Sequence, residues 1–319
     1  MEKTKIPVTI LTGFLGAGKT TLLNQIIDQN EDTRFAIIEN EFGEIGIDHE
    51  LIIDAAAGIF ELSNGCICCT LNGELSDTLH QLISKSLEFD HLLIETTGIA
   101  NPSAIAGAFL NDFAVQQYFR LDGVICLVDA MNVESVLGQE KEAAQQIGFA
   151  DLILLNKKDL VSEEQLDKTA TLLKSINPYA RIENCDHQSM ETQPLLSLTA
   201  FEFKPIEQAS FSISPQHNHQ HGQITSQSYT FEQNFDLIKF RHFIQVLLIL
   251  QNERIYRIKG ILSIEQEDQR IIFQSVQKQT LFSKGSPWET EEKRGSKLVV
   301  IGNGLNRELF EKKLRSCLA

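Results

Sequence analysis

The sequence is poor in positive charge: its 319 residues hold 28 Lys and Arg against 43 Asp and Glu, a formal net charge of −15. Such an acidic chain repels phosphate backbones, and no long run of Lys or Arg offsets the imbalance. Long apolar runs are also missing, since the longest, Phe243 to Leu250, is far below the ~20 residues of a membrane-spanning helix. Neither a nucleic-acid partner nor a membrane partner is therefore expected.

Targeting signals are scarce as well. The apolar stretch Ile6 to Leu11 is too short for a signal peptide and leads into a glycine loop. Cys317 is third from the end, whereas a prenylation box needs a cysteine at the fourth place. We therefore predict a cytoplasmic protein. In a reducing compartment its six cysteines would stay out of disulfides, and clustered cysteines become candidates for metal binding.

The first half of the chain alternates apolar β-type runs with amphipathic helical stretches. Continuous apolar runs separated by helices are typical of a parallel sheet covered on both faces. In such open α/β sheets, ligands bind at the carboxyl ends of the strands, where this sequence places its unusual residues. The predicted strands are Val8–Thr12, Phe35–Glu39, Leu92–Thr96, Val124–Asp129 and Leu152–Asn156, with helices over Lys19–Gln29 and Leu71–Leu87.

A second, smaller α+β domain is predicted over residues 227–319, after a first domain over 1–195. The intervening 196–226 is rich in Gln, Ser and Pro and reads as a linker. It holds His217, His219 and His221, whose spacing suits weak metal capture but is equally common in a solvated linker. The predicted strands of the second domain are 227–231, 255–264, 270–276 and 298–301, and its helices 236–250 and 306–316.

A glycine-rich phosphate loop follows the first predicted strand and opens the first predicted helix. Its glycines let the backbone wrap closely, so that N–H groups and the helix N-terminus point at phosphates. Lys19 is expected to reach the β and γ phosphates, and the Thr20 hydroxyl to bind Mg²⁺. The predicted phosphate-binding residues are Gly13, Phe14, Leu15, Gly16, Ala17, Gly18, Lys19, Thr20 and Thr21.

The segment after the strand Leu152–Leu155 predicts guanine recognition. The Asp159 carboxylate can accept two hydrogen bonds from the N1–H and N2–H₂ edge of guanine, and adenine offers no such pair of donors. Asn156 would tie this segment to the phosphate loop, and the stem of Lys157 would cover the base. GTP and GDP are therefore the expected ligands.

A third element lies between these two, where Glu95 ends a strand and Gly98 follows. An acid at a strand end can hold Mg²⁺ directly or through water, and a glycine lets the backbone approach the γ-phosphate. The predicted catalytic residues are Lys19, Thr20, Glu95 and Glu39. No single side chain identifies itself as the residue that positions water, since Glu39, Asn40 and Glu41 all qualify.

A cysteine cluster, Cys66, Cys68 and Cys69, lies between the second strand and the Glu95 strand. Three thiolates within four residues suit Zn²⁺, and also Co²⁺ or Cu⁺. A tetrahedral Zn²⁺ ion would need a further ligand, and the carboxylates around Glu39 and Glu44 are near in sequence. Buried apolar cysteines or a redox pair remain the alternatives, although the vicinal pair forms an awkward disulfide.

These motifs together resemble the CobW-like P-loop GTPases, and within them the YjiA branch. The similarity continues into the second domain, for example at Arg257–Gly260 and Ser286–Trp288, and so covers nearly the whole chain. The motifs that carry it are Gly13–Thr21, Glu39–Gly43, Gly65–Cys69 and Asn156–Asp159.

The resemblance implies a GTPase domain followed by a CobW C-terminal domain, and Zn²⁺ or another transition metal at the cysteines. It also implies a metallochaperone that delivers metal to a client metalloprotein, with metal-dependent self-association as an open question. Carried over by position, Glu39 and Glu44 match metal-binding carboxylates, and Cys66, Cys68 and Cys69 match the metal cysteines.

Our hypothesis is that GTP and Mg²⁺ order the segment from Glu39 to Cys69, and that hydrolysis relaxes it and releases the metal. Two rivals remain. One is a zinc buffer or sensor in which hydrolysis is incidental, and the other is a P-loop kinase acting on a small molecule. Guanine specificity argues against the kinase.

Overall fold

Two separate sheets organise the chain in the computed structural model. The structure describes residues 5–39, 52–54, 59–63, 71–85, 88–186, 189–201, 224–251, 253–289 and 292–319, with only the backbone described between 52 and 74. The chain divides into two compact units, one formed by residues 1–174 and 180–202 and the other by 175–179 and 203–319. No helix in the described ranges is long and apolar enough to cross a membrane.

The first unit is built on a mostly parallel sheet. Its strands follow the spatial order β3-β4-β2-β5-β1-β6-β7-β8, and only β3 runs antiparallel to its neighbour. The described strands are β1 (Ile6–Gly13), β2 (Phe35–Glu39), β3 (Ile52–Asp54), β4 (Ile59–Ser63), β5 (His91–Glu95), β6 (Phe119–Asp129), β7 (Leu152–Asn156) and β8 (Arg181–Asn184).

Helices connect these strands. Every residue of β5 and β7 is buried, and because alternate side chains of a strand point to opposite faces, both faces of the central sheet are covered. This arrangement confirms the predicted P-loop type of fold. The helices are α1 (Lys19–Gln29), α2 (Leu71–Ser84), α3 (Pro102–Asn111), α4 (Phe113–Tyr118), α5 (Val133–Gln139), α6 (Lys141–Phe149) and α7 (Glu163–Ile176).

The parallel register brings the strand ends to one edge of the sheet. Glu39 is aligned with Ser63 on one side and with Glu95 on the other. Farther along the sheet, Asp129 is aligned with Asn156. The polar residues that the sequence places after separate strands therefore share one edge, as expected for an open parallel sheet.

The second unit contains an antiparallel sheet with the order β12-β11-β10-β13-β9. Phe240 is fully buried, and its ring packs edge-on against Phe273 with 5.3 Å between centroids. This smaller α+β unit was also predicted. Its elements are β9 (Ile224–Phe231), α8 (Leu237–Gln251), β10 (Ile255–Leu262), β11 (Gln269–Val276), β12 (Gln279–Pro287), β13 (Ser296–Asn303) and α9 (Arg307–Arg315).

Several details differ from the sequence prediction. The helix predicted to end at Leu87 ends at Ser84. The strands β3, β4, β8 and β12 were not predicted, and neither were helices α3 to α7. The histidine cluster of the predicted linker lies outside the described residues, and the predicted domain boundaries stay a prediction.

Candidate nucleotide site

The phosphate loop turns sharply between β1 and α1, at positions where a side chain would collide with backbone or amide atoms. Gly13 has φ of 141°, and a Cβ there would lie 2.3 Å from the carbonyl oxygen of Leu127. Gly18 has φ of 100°, and a Cβ there would lie 2.4 Å from Nδ2 of Asn156. Both positions require glycine, since L side chains avoid positive φ and no space exists for one.

Lys19 lies at the first position of α1 with only 8% of its surface exposed. Its Nζ donates to the carbonyl oxygens of Gly13 at 3.0 Å and Phe14 at 3.4 Å, so the ammonium group lies within the loop. Burial lowers the pKa of Lys19, although the Glu95 carboxylate opposes that shift. A buried ammonium group at a helix N-terminus favours anions, and a phosphate there would stabilise its charged form.

The next residue, Thr20, donates its hydroxyl to Oε1 of Glu95 at 2.8 Å. A threonine hydroxyl and a carboxylate, both oxygen groups, thus meet where α1 begins and β5 ends. Oxygen ligands of this kind suit Mg²⁺, so the donor set fits the ion that the sequence predicts here. Thr20 and Glu95 are the residues that would hold it.

The loop after β5 packs directly on the phosphate loop. The N–H of Thr96 donates to the carbonyl of Leu11 at 2.9 Å, and the Thr96 hydroxyl donates to that of Thr12 at 3.1 Å. At Gly98 a Cβ would lie 2.6 Å from the backbone nitrogen of Leu15. This spacing leaves no room for a side chain at position 98. Gly98, which the sequence predicts to approach the γ-phosphate, therefore lies directly against the phosphate loop.

On the other side, β7 ends in the predicted base-recognition segment. Asn156 donates from Nδ2 to the carbonyl of Ala17 at 2.8 Å, which is the predicted tie to the phosphate loop. Its Oδ1 accepts from the N–H of Lys157 at 2.8 Å, so one side chain fixes both segments. The base-recognition segment is therefore anchored to the residues that would bind phosphate.

Lys157 adopts the left-handed backbone conformation with φ of 57°. Its Nζ pairs with Oδ2 of Asp129 at 2.8 Å, and Asp129 also accepts from Asn132 Nδ2 and the N–H of Met131. Burial acts to raise the pKa of Asp129, but these hydrogen bonds hold it below its usual range. Asp129 thus holds the lysine stem that the sequence assigns to the base.

Asp159 lies in a 3₁₀ turn, Lys158–Leu160, and its side chain is exposed. The neighbouring Lys158 pairs with Asp186 at 3.2 Å, just after β8. An exposed carboxylate beside an anchored lysine is available to accept hydrogen bonds from a ligand. The structure therefore places Asn156, Lys157 and Asp159 on one segment next to the phosphate loop.

A cavity of about 330 Å³ adjoins the phosphate loop on its α5–α6 side. Residues 14–17 form one wall, and the Asp129–Lys157 pair and the side chain of Gln146 also line it. Sequence reasoning missed Asp129 and Gln146. Asp129 could have been found, because it ends an apolar strand at the same sheet edge as the other site residues, whereas Gln146 lies in a helix with no motif.

The predicted transition-metal site falls mainly outside the described residues, namely Cys66, Cys68, Cys69 and Glu44. Glu39 is described and half-buried at the end of β2. Within the described ranges, no group of three or more His, Cys, Asp or Glu side chains is placed to hold a metal ion.

The three described cysteines, Cys126, Cys185 and Cys317, are buried. Burial raises the pKa of the Cys126 thiol to about 12 and that of Cys185 to about 11, so neither is a thiolate near neutral pH.

A parallel sheet, a glycine loop between β1 and α1, and a Thr–Glu pair beside a buried lysine define a P-loop nucleotide-binding protein. Comparison with known proteins agrees. Residues 7–184 match the CobW/HypB/UreG nucleotide-binding domain, and residues 224–318 match the cobalamin synthesis protein CobW C-terminal domain. The chain belongs to this family and is a P-loop GTPase.

Similar curated proteins span nearly the whole chain. The Escherichia coli zinc chaperone YjiA is 36% identical over 95% of this chain and 96% of its own length. The Pseudomonas aeruginosa zinc chaperone CobW is 31% identical over 99% of this chain and 92% of its own. The crystal structure of Zn(II)-bound YjiA GTPase from E. coli superposes with a TM-score of 0.80, at 33% identity, over 99% of this chain and all of that one.

Proposed function

We propose that this GTPase is a metallochaperone, which binds Zn²⁺ at Cys66, Cys68 and Cys69 and transfers it to a client metalloprotein under nucleotide control. The observation that carries the proposal is the alignment of β4, β2, β5 and β1 at one sheet edge. Relatives that are zinc chaperones, and a similar GTPase that binds Zn(II), support zinc as the cargo.

Nucleotide is selected at two places. Lys19 and the N–H groups of the phosphate loop bind the β and γ phosphates, and Thr20 with Glu95 hold Mg²⁺, which supplies charge neutralisation at those phosphates. Asp159 reads the guanine edge, and the Asp129-held stem of Lys157 covers the base.

Cys66 follows a described strand, β4, that belongs to the same sheet as this machinery. Ser63 ends β4 and is aligned with Glu39, which is itself aligned with Glu95. Adjacent strands lie about 4.8 Å apart, so Ser63 is two strand spacings from the Thr20 partner. Cys66 is the third residue after Ser63, and a chain of that length reaches at most ~10 Å. The chain length therefore limits the distance between Cys66 and the nucleotide site.

Glu39 ends β2, which lies between β4 and β5 in the sheet. It stands beside Glu95 on β5 and beside the strand that leads to Cys66. A carboxylate in that position can serve as a metal ligand in one nucleotide state or orient water in the other. Nucleotide control follows if the γ-phosphate changes the conformation of the segment from Glu39 to Cys69. By linkage, bound Zn²⁺ must then tighten GTP by the factor by which GTP tightens Zn²⁺.

Calorimetric titration of Zn²⁺, with Co²⁺ as a comparison, tests the proposal in the presence of GDP or of a non-hydrolysable GTP analogue. We expect tighter Zn²⁺ binding with the analogue, and loss of that binding in Cys66→Ser. The matched control is Cys317→Ser, which removes a buried thiol from the second unit and should leave Zn²⁺ binding intact. Equal Zn²⁺ affinities with GDP and the analogue would contradict nucleotide control.

Transfer to a client is a separate step of the proposal. Zinc-loaded protein should release Zn²⁺ to an apo-metalloprotein faster after GTP hydrolysis than with the non-hydrolysable analogue. A chromogenic chelator follows release in the absence of a client. If the rate of Zn²⁺ release were the same in both nucleotide states, the protein would be better described as a zinc buffer.

A further inference from the structure

Gln146 is a fully buried polar residue in α6, with 0% of its surface exposed. Its Nε2 donates to the carbonyl of Gly98 at 3.0 Å and to that of Ala100 at 3.1 Å. An amide group has two N–H bonds on this nitrogen, so both donors are used on the loop that follows β5. The side chain thus holds that loop against α6, although the two segments are more than 40 residues apart in the sequence.

The clamped segment is a tight turn. The N–H of Ala100 donates back to the carbonyl of Thr97 at 3.1 Å, which closes residues 97–100. With the Gly98 and Ala100 carbonyls held by Gln146, the peptide planes of the turn have a fixed orientation. The direction of a backbone N–H in such a turn follows from those planes.

The turn is also locked against the phosphate loop, because a Cβ on Gly98 would lie 2.6 Å from the nitrogen of Leu15. Gln146 lines the cavity of about 330 Å³ whose other wall is that loop. Within the described chain, two buried polar atoms at this junction have no hydrogen-bond partner, Oε1 of Gln146 and Oγ1 of Thr97. Buried polar groups are normally paired, so these two atoms are exceptions at this junction.

We propose that Gln146 is a positioning residue for GTP hydrolysis. By holding the Gly98 and Ala100 carbonyls, it sets the orientation of the turn that offers the Gly98 N–H to the γ-phosphate. This inference rests on the proposed contact between Gly98 and the γ-phosphate. Gln146 touches neither GTP nor the attacking water, and it acts only through the turn.

The test compares hydrolysis and binding in protein free of zinc, so that chaperone function does not enter the result. Gln146→Met keeps the length and the packing of the side chain but removes both donors. We expect kcat to fall at least ~10-fold and affinity for a non-hydrolysable GTP analogue to fall, with GDP affinity unchanged, because GDP has no γ-phosphate. The matched control is Gln145→Met, at the half-buried preceding residue of α6.

A second variant gives a readout that loss of packing cannot mimic. In Gln146→Glu the neutral acid can donate one hydrogen bond to the turn, whereas the carboxylate repels both carbonyls. Burial raises the pKa of such a glutamate, so its kcat relative to the unmodified protein should rise as the pH is lowered from about 8 to about 6. If Gln146→Met does not fold, this pH profile decides.

Two results would overturn the inference. One is a folded Gln146→Met variant with unaltered kcat, or with equal losses of GDP and analogue affinity. The other is a Gln146→Glu profile parallel to that of the unmodified protein. Gly98→Ala tests the premise separately, and its GDP affinity controls for disturbance of the phosphate loop by the added Cβ. If analogue affinity falls more than GDP affinity in this variant and the Gln146 variants are unaltered, the role of Gly98 stands and that of Gln146 falls.

Discussion

The two sheets use buried polar side chains for different purposes. In the antiparallel sheet of the second unit, the N–H of Ser263 donates to the Ser296 hydroxyl at 2.8 Å, and the N–H of Ile258 donates to the Ser275 hydroxyl at 2.9 Å. These serines satisfy backbone groups inside the sheet itself. They complete the hydrogen bonding of buried backbone groups.

In the first unit, polar side chains at the carboxyl edge of the parallel sheet bond to the segments that meet there. Asn156 and Lys19 hold the phosphate loop, and Glu95 accepts from the helix that follows that loop. Each of these bonds joins segments that a nucleotide would also contact. The comparison teaches that burial alone does not identify function, whereas burial at the shared carboxyl edge of parallel strands does.

The largest effect that separates the two sheets is expected from Lys19→Met. Removing the ammonium group should lower GTP turnover by ~10²–10³-fold, because in the proposed site that charge faces the β and γ phosphates. Stability should hold or rise, since burial lowers the pKa of Lys19 and makes its charged form costly in the fold. Single-turnover hydrolysis and urea unfolding measure the two quantities.

Phe240→Ala in the second unit should have the opposite effect, a loss of stability with no loss of turnover. It should cost ~3–5 kcal/mol of unfolding free energy, because a fully buried ring is lost, and leave kcat for GTP unchanged. If Phe240→Ala slowed turnover as strongly as Lys19→Met, the division of labour between the sheets would be wrong.

The pH dependence of stability separates the two edges of the parallel sheet. His91 begins β5, at the edge opposite the nucleotide site. Burial first, and Arg120 second, lower the pKa of His91 from 6.5 to about 4, and its Nε2 lies 2.9 Å from the Thr9 hydroxyl. As the pH falls, His91 therefore becomes protonated in the unfolded chain before it does in the folded protein. We therefore expect the contribution of His91 to stability to be full above pH 6.5 and to fall by about 3 kcal/mol as the pH drops to about 4.

Urea unfolding at a series of pH values measures this loss. His91→Gln should flatten the curve over that range, whereas His242→Gln, at an exposed position of α8, should not. A His91→Gln curve with the original slope would place the acid-sensitive group elsewhere.

Guanine selection gives the next smaller effect. Asp159→Asn should weaken GTP binding ~100-fold, because one of the two accepted hydrogen bonds becomes a clash of donors. Affinity for xanthosine triphosphate should rise, since its carbonyl at that position can accept from the new amide. Equilibrium competition measures both ligands, with Asp167→Asn, an exposed position on α7, as the control.

The smallest effect concerns the ion pair that the sequence did not reveal. Asp129→Asn should weaken GTP and GDP binding by the same ~5-fold, about 1 kcal/mol, because the partly exposed Lys157 stem loses its anchor. A double-mutant cycle with Lys157→Met isolates the pair. Additive losses would show that Asp129 stabilises only its own turn.

The sequence predicted those parts of the site that depend on local pattern. The strands Phe35–Glu39 and Leu152–Asn156 have the bounds that their apolar runs indicated. The hydrogen bond from Asn156 to the phosphate loop was also expected, because motif residues at strand ends share one edge. A strand that is buried along its length is a continuous run of apolar residues, which can be recognised in the sequence.

Features that depend on distant partners or weak patterns were missed. The edge strand Arg181–Asn184 is mostly exposed, so it lacks the apolar run from which a strand is predicted. Gln146 looks like any polar helix residue, and its two acceptors lie 46 and 48 residues away. Only the packing of α6 against the turn after β5 gives that side chain its role.

The bond from Asn156 to Ala17 has a consequence for biosynthesis. It joins residues 139 positions apart, so the phosphate loop leaves the ribosome long before its brace. At translation rates of ~5–20 residues per second, the loop waits roughly 7–28 s for β7 to arrive. A nascent chain therefore gains its nucleotide pocket only about halfway through synthesis, and nucleotide can bind before β8, the last strand of the first unit, has been made.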